Sequence, residues 1–351
     1  MTDHRPLPQP DVGAHELVEV VVETARDALE AAFTRAGMLP IEAHRVVDAL
    51  LDAELCEVPT HGLLRVPWYL QAIGAGTITV GTAPTTDRRA PGVATIDGHG
   101  AYGYLPTWLA VDEAIAGAAV AGIGLAGVRH VAEFGRAAYY AAEAARRGHV
   151  AIVTQNTVPL LAAPGSDRMT HGNNPLAYSA PGAEAPVFDA AFTARSGGEL
   201  RRRAVLGLPL PAEWGYVDAV GAPTTDPNVA AASVQQAVGG AKGFGIAVLV
   251  DLLAGMLTGA SSSVDVTPGA PVVGAMVIAI DPVACGTTVE AIEAACATSA
   301  GAVRDSGGRW PGDRARAARD LGSTRGTVRV PRPIFEAACA AAGAPLRRAA
   351  A

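Results

Sequence analysis

The sequence predicts an α/β protein. Short apolar, strand-like runs alternate with helical stretches along most of the chain, and glycine and proline residues separate them. Alternation of this kind is typical of α/β architectures. Half of the residues are apolar but only 5% are aromatic, so small side chains are expected to fill much of the core. A chain of 351 residues is long enough for one large domain or roughly two to three closely packed ones.

The N-terminal region is predicted to be helical after a polar, proline-bearing tail at residues 1–13. A first helix is predicted over residues 15–37, and Pro40 favours the start of a second. The apolar positions at helical spacing are Leu17, Val21, Leu29 and Phe33 in the first helix and Val46, Val47, Leu50, Leu51 and Leu55 in the second.

The third predicted helix carries the most informative residues of the chain. Thr60 is able to cap its start, and His61, Arg65 and Tyr69 follow at i, i+4 and i+8. Side chains at this spacing share one face of a helix. Pro67 is expected to kink the helix or to loosen its hydrogen bonding, without removing the shared face.

An imidazole beside a guanidinium suits a reaction on a small carboxylic acid. Arg65 would hold the carboxylate by two parallel hydrogen bonds, and His61 would give or take a proton one carbon away. Thr60 would hydrogen-bond the substrate or cap the helix, and Tyr69 would line the pocket or pack in the core. The alternative is a solvated helix face that carries a histidine and an arginine.

The rest of the chain supplies the predicted strands and further helices. Strands are predicted at residues 93–96, 123–128, 150–154, 176–179, 186–188 and 272–280. Helices are predicted at residues 107–121, 136–147, 246–257, 289–300 and 334–342. The helix at 246–257 is strongly apolar and is expected to be buried.

One glycine motif offers a different fold. Gly98, Gly100 and Gly103 match G-x-G-x-x-G after a predicted strand, and a Rossmann-type dehydrogenase would use them to bind a pyrophosphate at a helix N-terminus. The context is poor, because Pro106 falls where the helix should be running and the next strand ends without an acid for a ribose. The alternative stays open because Arg129, at the end of that strand, would be able to bind the 2′-phosphate of NADP.

Further segments carry polar residues that suit a ligand. Lys242 lies among the glycines of residues 239–245, which fits a phosphate or ribose close to the backbone, or a tight turn before a helix. Asn173 and Asn174 lie in a predicted turn. Asp189 follows a strand, where an acid often binds a ribose hydroxyl or caps a helix.

Charge and cysteine usage exclude several functional classes. The net charge of −7 argues against a nucleic-acid or membrane partner, and Arg201-Arg202-Arg203 is expected to be a solvated loop. The four cysteines are scattered, so neither a disulfide framework nor a metal site is expected, and a reducing cytoplasm fits. The uncharged, Ala- and Gly-rich run at residues 114–128 is too short to span a bilayer, and the N-terminus lacks a signal-peptide pattern.

Several motifs, taken in order, resemble the type-2 malate/L-lactate dehydrogenase family of NAD(P)-dependent oxidoreductases. Its relatives act on sulfolactate, ureidoglycolate, diketogulonate and cyclic imino acids such as piperideine-2-carboxylate. The resemblance runs over residues 29–330, and the order of the motifs makes it specific. The motifs are Thr60-His61-Gly62 with Arg65, Pro67 and Tyr69; Phe134-Gly135-Arg136 with Tyr139-Tyr140; Gln155-Asn156-Thr157; Gly172-Asn173-Asn174-Pro175; Asp189 with Thr193; Gly239-Gly240-Ala241-Lys242-Gly243; Ala279-Ile280-Asp281-Pro282; and Pro311-Gly312-Asp313.

The resemblance implies a non-Rossmann, sulfolactate-dehydrogenase-like fold with a mixed, largely antiparallel sheet and flanking helices. A helical N-terminal part at residues 1–85 would pack with the C-terminal residues 314–351. Residues 86–313 would form the cofactor-binding α/β domain. A homodimer is implied, with active sites near the subunit interface.

The same resemblance implies the functional residues. His61 matches the proton-transfer histidine and Arg65 matches the residue that binds the substrate carboxylate, with Thr60 and Tyr69 beside them. The implied reaction is hydride transfer between nicotinamide and the α-carbon of a small 2-oxo, 2-hydroxy or 2-imino acid. Residues implied to contact the cofactor, NAD or NADP, are Asn156, Thr157, Asn174, Asp189, Thr193, Lys242, Gly243, Pro311, Gly312 and Asp313.

One position departs from the family pattern. Relatives usually carry a histidine before the Phe-Gly pair, whereas this chain has Glu133. A carboxylate is a poor hydrogen-bond donor to a ketone but stabilises a cation. Glu133 is therefore expected to be a catalytic residue that faces a protonated imine or amine. The alternatives are that Glu133 pairs with Arg136 or Arg129, or that the protein has lost activity and has a binding or biosynthetic accessory role.

Overall fold

The structure, a computed structural model, describes residue 13 and residues 15–193, 196–218, 222–231 and 233–349. Within these residues the strands form one seven-stranded sheet and two small two-stranded sheets. The strands are β1 (Leu17–Val21), β2 (Thr85–Ala90), β3 (Val93–Ala101), β4 (Ile123–Val131), β5 (Val150–Gln155), β6 (Leu161–Ala162), β7 (Met169–His171), β8 (Leu176–Ser179), β9 (Val187–Ala190), β10 (Val273–Ile280) and β11 (Thr327–Pro331).

Helices flank the sheet and form most of both chain ends. They are α1 (Val22–Arg35), α2 (Pro40–Leu55), α3 (Val66–Gly74), α4 (Tyr104–Ala121), α5 (Ala137–Arg146), α6 (Gly197–Val205), α7 (Pro227–Ala230), α8 (Ala241–Val250), α9 (Val289–Asp305), α10 (Asp313–Arg325) and α11 (Arg332–Ala342). Short 3-10 turns lie at Pro59–His61, Leu63–Arg65, Ala212–Trp214 and Ser263–Asp265, and a π-helical segment, Asp251–Met256, continues α8. In the part of the chain described, no helix has both the length and the apolarity to cross a bilayer.

The seven-stranded sheet has the order β2-β3-β4-β10-β5-β8-β9. Its pairs are antiparallel except β3–β4, which α4 joins by a crossover. In the middle of the sheet, Val277 of β10 lies opposite Ala126 on one side and Val153 on the other. The mixed, largely antiparallel sheet with flanking helices is therefore confirmed. Every strand predicted from an apolar run is present.

The glycine run at residues 98–103 packs the sheet and does not form a dinucleotide loop. Gly98 lies in β3, where a Cβ atom would come within 2.2 Å of the Val131 side chain on β4. Gly103 precedes α4, where a Cβ atom would lie 2.9 Å from Phe134 Cβ. These glycines are needed for close contact between chain segments, and the Rossmann alternative is wrong.

The first helix begins later than predicted because residues 17–21 form a strand. Val18 and Val20 are buried, whereas Glu19 between them is exposed, which is the two-residue period of a strand. This strand, β1, pairs antiparallel with β11 from the other end of the chain. The pairing is not visible to a local search for helical periodicity.

One continuous cluster of buried apolar residues runs from α1 and α2 through the sheet to α11. A shared core does not locate a domain boundary. The division into residues 1–85 with 314–351 and residues 86–313 therefore stays a prediction. Residues 1–12 of the predicted tail lie outside the described residues.

Small residues allow α4 to lie directly on the sheet. A Cβ atom at Gly124 in β4 would come within 1.8 Å of the Ala114 carbonyl oxygen in α4. A Cβ atom at Gly117 of the same helix would lie 3.1 Å from Gly124 Cα. The helix backbone thus packs on the strand without side chains between them, which is how a core with few aromatic rings reaches normal density.

The apolar segment at 246–257 is helical, but one of its faces is not buried as predicted. Val250 and Ala254 are buried, while the opposite side is open in the single chain. The exposed residues on that side are Ile246, Leu249, Leu252 and Met256, with exposed fractions of 39, 47, 50 and 48%. We name these four residues the α8 apolar face.

Candidate active site

Residues Thr60 to Arg65 form two 3-10 turns and not the single helix predicted. Gly62 separates the turns, and α3 begins only after Arg65. Pro67 is the second residue of α3, and a proline ring clashes with the carbonyl four residues earlier, so an α-helix cannot continue back through Leu63. His61 and Arg65 therefore lie in successive turns and do not share a helical face.

A buried carboxyl group on α2 holds these two turns together. Glu54 Oε1 accepts a 2.6 Å hydrogen bond from the Leu63 backbone N–H. A Cβ atom at Gly62 would come within 2.1 Å of the same oxygen, so only glycine fits there. Burial raises the pKa of Glu54 to about 7, partly offset by the hydrogen bond from Leu63. Sequence reasoning missed this residue, because the contact is made in three dimensions by one acid of an apolar helix.

His61 is half-buried, and Thr60 orients its ring. Thr60 Oγ1 lies 3.1 Å from His61 Nδ1, and Nε2 makes no hydrogen bond with any residue that the structure describes. Burial lowers the pKa of His61 well below 6.5, and the guanidinium groups of Arg65 and Arg136 lower it further. The imidazole is therefore neutral at neutral pH before a substrate binds.

Arg65 is nearly buried and forms an ion pair with Glu133. Its Nη1 donates to both carboxylate oxygens of Glu133, at 2.9 and 2.7 Å. Its Nε donates to the Thr60 carbonyl oxygen at 2.7 Å. The Arg65 side chain is 10% exposed and that of Glu133 is 34% exposed. Glu133 thus neutralises the residue that was expected to bind the substrate carboxylate.

The two arginines proposed as alternative partners of Glu133 are bound elsewhere. Arg136 Nη1 donates to Asp52 at 2.8 Å, and Arg129 Nε donates to Asp97 at 3.1 Å. The predicted pairing of Glu133 with either arginine is therefore wrong. The reason is that the side chains on either side of the Phe134-Gly135 pair point to different neighbours. Glu133 contacts Arg65, and Arg136 contacts Asp52 of α2.

Tyr69 packs in the core and does not line a pocket. Only 1% of its surface is exposed, and its hydroxyl lies 2.8 Å from that of Tyr104. Its ring centroid is 4.3 Å from that of Tyr102. Burial raises the pKa of Tyr69 far above that of a free tyrosine. A substrate contact by Tyr69 is therefore not supported, and the packing alternative is the observed one.

A cavity of about 480 Å³ adjoins the first 3-10 turn and gathers several predicted cofactor-binding residues. Val58, Arg136, Asp189 and Gly312 are among the residues that line it. Asp189 accepts a 2.9 Å hydrogen bond from the Ala138 backbone N–H and lies 3.9 Å from Arg136 Nε. Burial raises the pKa of Asp189, while Arg136 and the Ala138 hydrogen bond lower it.

The predicted Pro311-Gly312-Asp313 segment forms the far rim of this cavity. The Pro311 carbonyl oxygen accepts a hydrogen bond from Val187 N, and Gly312 has a φ of +95° where a Cβ atom would press on Val187. The Asp313 carboxylate lies 2.6 Å from Arg304, and this ion pair holds the pKa of Asp313 below its usual range. The Asp313 carboxylate is thus already bound by a guanidinium group of the protein.

The glycine turn before α8 leaves open backbone beside a free ammonium group. Gly239 and Gly240 have φ values of +67° and +61°, and no atom lies within 4 Å of a Cβ placed at either. Lys242 is exposed and bonds to no described side chain or backbone group. The buried Thr193 hydroxyl, bridged through its backbone to Ala237, also lacks a described hydrogen-bond partner. This arrangement suits a phosphate or ribose.

Two predicted cofactor contacts are instead parts of the scaffold. The buried Asn156 amide donates to Asp251 at 2.9 Å. The buried Asn174 amide donates to the Ala247 carbonyl oxygen at 2.8 Å and accepts from Thr157 N at 3.0 Å. These amides fasten β5 and its following turn to α8. Contact with a cofactor through their side chains is therefore not supported.

The remaining two predicted contacts, Thr157 and Gly243, also contact other parts of the protein. Thr157 Oγ1 donates to Asn173 Oδ1 at 2.7 Å. A Cβ atom at Gly243 would come within 1.9 Å of the Val238 carbonyl oxygen, so this glycine closes the turn before α8. Both residues therefore have structural contacts within the protein, Thr157 with the Asn173 turn and Gly243 with the turn before α8.

The arginine run lies on α6 and is not the solvated loop predicted. Glu199 pairs with Arg202 at 2.7 Å and with Arg203 at 3.1 Å, and both arginines are buried. Arg201 projects to the other side of α6, where its guanidinium carbon lies 3.0 Å from the centroid of a Trp68 ring. The run thus divides into two structural arginines and one that faces the His61–Arg65 region.

Comparison with known proteins gives a consistent result. A sequence model described as malate/L-lactate dehydrogenase matches residues 20–337. The chain is 34% identical to L-sulfolactate dehydrogenase of Methanothermobacter thermautotrophicus over 68% of this chain and 71% of the relative. It is 28% identical to Δ1-pyrroline-2-carboxylate/Δ1-piperideine-2-carboxylate reductase of Pseudomonas aeruginosa over 91% of this chain and 97% of the relative. Other relatives have names that specify NAD(+) or NADP(+).

Solved structures share the fold over nearly the whole chain. A dehydrogenase from Sinorhizobium meliloti matches with a TM-score of 0.84 and 28% identity, covering 93% of this chain and 99% of that one. Δ1-piperideine-2-carboxylate reductase from Pseudomonas syringae matches with a TM-score of 0.82 and 26% identity, covering 92% and 99%.

The raised pKa of Glu54 predicts a pH-dependent stability. Its folded-state pKa of about 7 exceeds the ordinary value of 4.5, so its contribution is most favourable below 4.5 and is lost as pH rises towards 7. Glu54→Gln keeps the hydrogen-bond acceptor and removes the titration. The free energy of unfolding of this variant, relative to the native chain, should rise by about 3 kcal/mol between about pH 4.5 and about pH 8.

Urea unfolding at the two pH values measures this difference. Glu19→Gln, at an exposed position of β1, is the control and should show no such rise. A relative stability of Glu54→Gln that does not change with pH would contradict a buried, titrating carboxyl group at this position.

Proposed function

Because the chain belongs to the malate/L-lactate dehydrogenase family, we propose that it transfers a hydride between a nicotinamide cofactor and the α-carbon of a small carboxylic acid. The substrates in this proposal are 2-oxo or 2-hydroxy acids and 2-imino acids, the classes that the names of relatives specify. The observation that carries the proposal is that His61 and Arg65 lie in successive 3-10 turns, with Glu133 paired to Arg65, and that a cavity lined by Asp189 and Gly312 adjoins the first of these turns.

The described residues fit NAD or NADP at two places. Near α8, the open backbone of Gly239 and Gly240, the free Lys242 ammonium and the unpartnered Thr193 hydroxyl offer donors for phosphate and ribose oxygens. Beside the His61 turn, Asp189 lines the 480 Å³ cavity together with Gly312 and Asp313. When bound, the nicotinamide supplies or accepts the hydride.

His61 is proposed to move the proton that accompanies the hydride. Its Nδ1 is held by the Thr60 hydroxyl, which both donates and accepts, so Nε2 can exist with or without its proton. In reduction of a 2-oxo acid Nε2 would protonate the α-oxygen as the hydride arrives, and in oxidation of the 2-hydroxy acid it would remove that proton. A 2-imino acid that binds protonated becomes a neutral amine on hydride transfer, and Nε2 would then protonate that amine. A bound carboxylate adds negative charge, which favours the imidazolium that Arg65 and Arg136 disfavour in the free enzyme.

Arg65 is proposed to position the reacting end of the substrate. Its Nε and Nη1 are bound to the Thr60 carbonyl oxygen and to Glu133, so of its N–H groups Nη2 lacks a described partner and would donate to the α-oxygen of a 2-oxo acid. Glu133 places a negative charge next to the Arg65 guanidinium. That charge favours a substrate with a cationic group at the α-position, so the proposed preference is for a 2-imino acid in its protonated form.

A second candidate function is that of a catalytically impaired binding or biosynthetic accessory protein. The observation in its favour is the same ion pair, because Glu133 compensates the charge of Arg65. The two functions differ in turnover. Fluorescence of NADH or NADPH measures binding, and oxidation in the presence of pyruvate, oxaloacetate and Δ1-piperideine-2-carboxylate measures catalysis. Binding without turnover over a broad panel would favour the second function.

A homodimer in the cytoplasm is also part of the proposal. The α8 apolar face supports it, because four neighbouring exposed apolar side chains on one helical face are typical of an interface. Light scattering tests it: the native chain should have twice the monomer mass, and a persistent monomer would contradict it. The four free cysteines fit a reducing compartment.

The lowered pKa of His61 predicts opposite pH profiles for the two directions. The free enzyme carries neutral His61 at neutral pH, so kcat/KM for reduction of a 2-oxo acid should fall about tenfold per unit between about pH 6.5 and about pH 8.5. For oxidation of the 2-hydroxy acid it should stay level, since the base is already neutral. Initial rates in both directions measure this. A level reductive profile with a rising oxidative one would contradict it, because it requires a raised pKa.

Replacing Glu133 tests the preference for an imine. Glu133→Gln removes the negative charge and frees Arg65, so kcat/KM should fall for Δ1-piperideine-2-carboxylate and rise for pyruvate. The ratio of the two values should shift by about tenfold or more towards pyruvate. Glu336→Gln, on α11 with a side chain that is 59% exposed, is the control. An unchanged ratio in Glu133→Gln would overturn the role given to Glu133.

A further inference from the structure

Two guanidinium groups lie around one indole ring at the edge of the candidate site. The guanidinium carbon of Arg201 is 3.0 Å from the centroid of a Trp68 ring, and that of Arg65 is 5.5 Å from a Trp68 ring centroid. The two arginines therefore face the same small region. Arg65 comes from the second 3-10 turn and Arg201 from α6, so two separate chain segments deliver them.

Among the residues that the structure describes, only Arg65 of these two makes a hydrogen-bonded ion pair, whereas Arg201 interacts with the Glu133 charge without a hydrogen bond. Arg65 is bound to Glu133 through Nη1 and to the Thr60 carbonyl oxygen through Nε. Arg201 has no hydrogen bond or ion pair with any described residue and contacts Trp68 through its flat face. Partial burial lowers the pKa of Arg201 to about 10, and the nearby positive charge of Arg65 contributes. Arg201 is therefore still charged at neutral pH, and an anion beside it would be stabilised.

The chain holds Arg201 in this place by specific packing. A Cβ atom at Gly198 would lie 2.9 Å from Thr60 Cβ, so the start of α6 lies directly against the first 3-10 turn. Glu199 binds the neighbouring arginines, Arg202 and Arg203, on the other side of the helix. The indole of Trp68 then supports the guanidinium plane and leaves its edge, which carries the N–H donors, free.

We propose that Arg201, supported by Trp68, binds the substrate carboxylate in place of Arg65, whose charge Glu133 compensates. This inference rests on the proposed function and deepens it by assigning the residue that binds the substrate carboxylate. A protonated cyclic 2-imino acid carries a carboxylate and, one carbon away, a cationic nitrogen. Arg201 matches the first group and Glu133 the second. A planar guanidinium edge binds a carboxylate by two parallel hydrogen bonds, which also fixes the orientation of the α-carbon.

Arg201→Gln tests this assignment, with Arg201→Lys and Trp68→Leu as second variants and Arg89→Gln as the control. Arg89 lies on β2, whose residues are all exposed. Arg201→Gln should raise KM for 2-imino and 2-oxo acids about ten- to a hundredfold and leave the Kd of NADH or NADPH unchanged. Arg201→Lys should recover part of the loss, since it keeps the charge but not the planar fork. Trp68→Leu should give an intermediate KM.

Binding of pyrrole-2-carboxylate, measured by calorimetry, separates this inference from the proposed function. If the native protein turns substrates over and the KM of Arg201→Gln stays within about threefold of the native value, Arg201 is not the carboxylate site and the function stands. If the native protein has no turnover but binds the probe, and Arg201→Gln loses that binding, the function fails and the assignment stands. A native protein that neither reacts nor binds the probe contradicts both.

Discussion

The ion pair between Arg65 and Glu133 is the interaction on which the account of this site depends. A guanidinium that is only 10% exposed requires a partner, because an uncompensated buried charge costs several kcal/mol. Glu133 supplies that partner from a turn 68 residues later in the chain. The pair therefore joins the 3-10 turns to the loop between β4 and α5, and it decides how much positive charge remains for a substrate.

The scaffold around this pair is built from close approaches between small residues and buried carboxyl groups. Gly62 makes room for Glu54, and Gly198 makes room for Thr60, so α2 and α6 both lie against the turns that carry His61 and Arg65. At the sheet, Gly124 does the same for α4. A side chain at any of these positions would push apart the segments that the site requires, which explains why a chain so rich in glycine forms a defined pocket.

Local patterns predicted six of the seven strands of the main sheet, all but β2, as well as the helix starting at Pro40 and, through motifs in order, the family. They failed where the deciding contact is distant in sequence. The strand β1 exists because it pairs with β11, and Arg65 meets Glu133 and not a neighbour on its own helix. Spacing alone also misjudged the apolar segment after Lys242, since helical periodicity does not say whether the face it creates is covered by the same chain.

The most direct measurement is a crystal structure of the protein with reduced cofactor and pyrrole-2-carboxylate, the unreactive analogue of a cyclic imino acid. We expect Arg65 and Glu133 to stay paired, the ring nitrogen of the analogue to face Glu133, and its carboxylate to lie on the edge of Arg201 above Trp68. A carboxylate bound bidentately by Arg65, with Glu133 turned away from both, would contradict it.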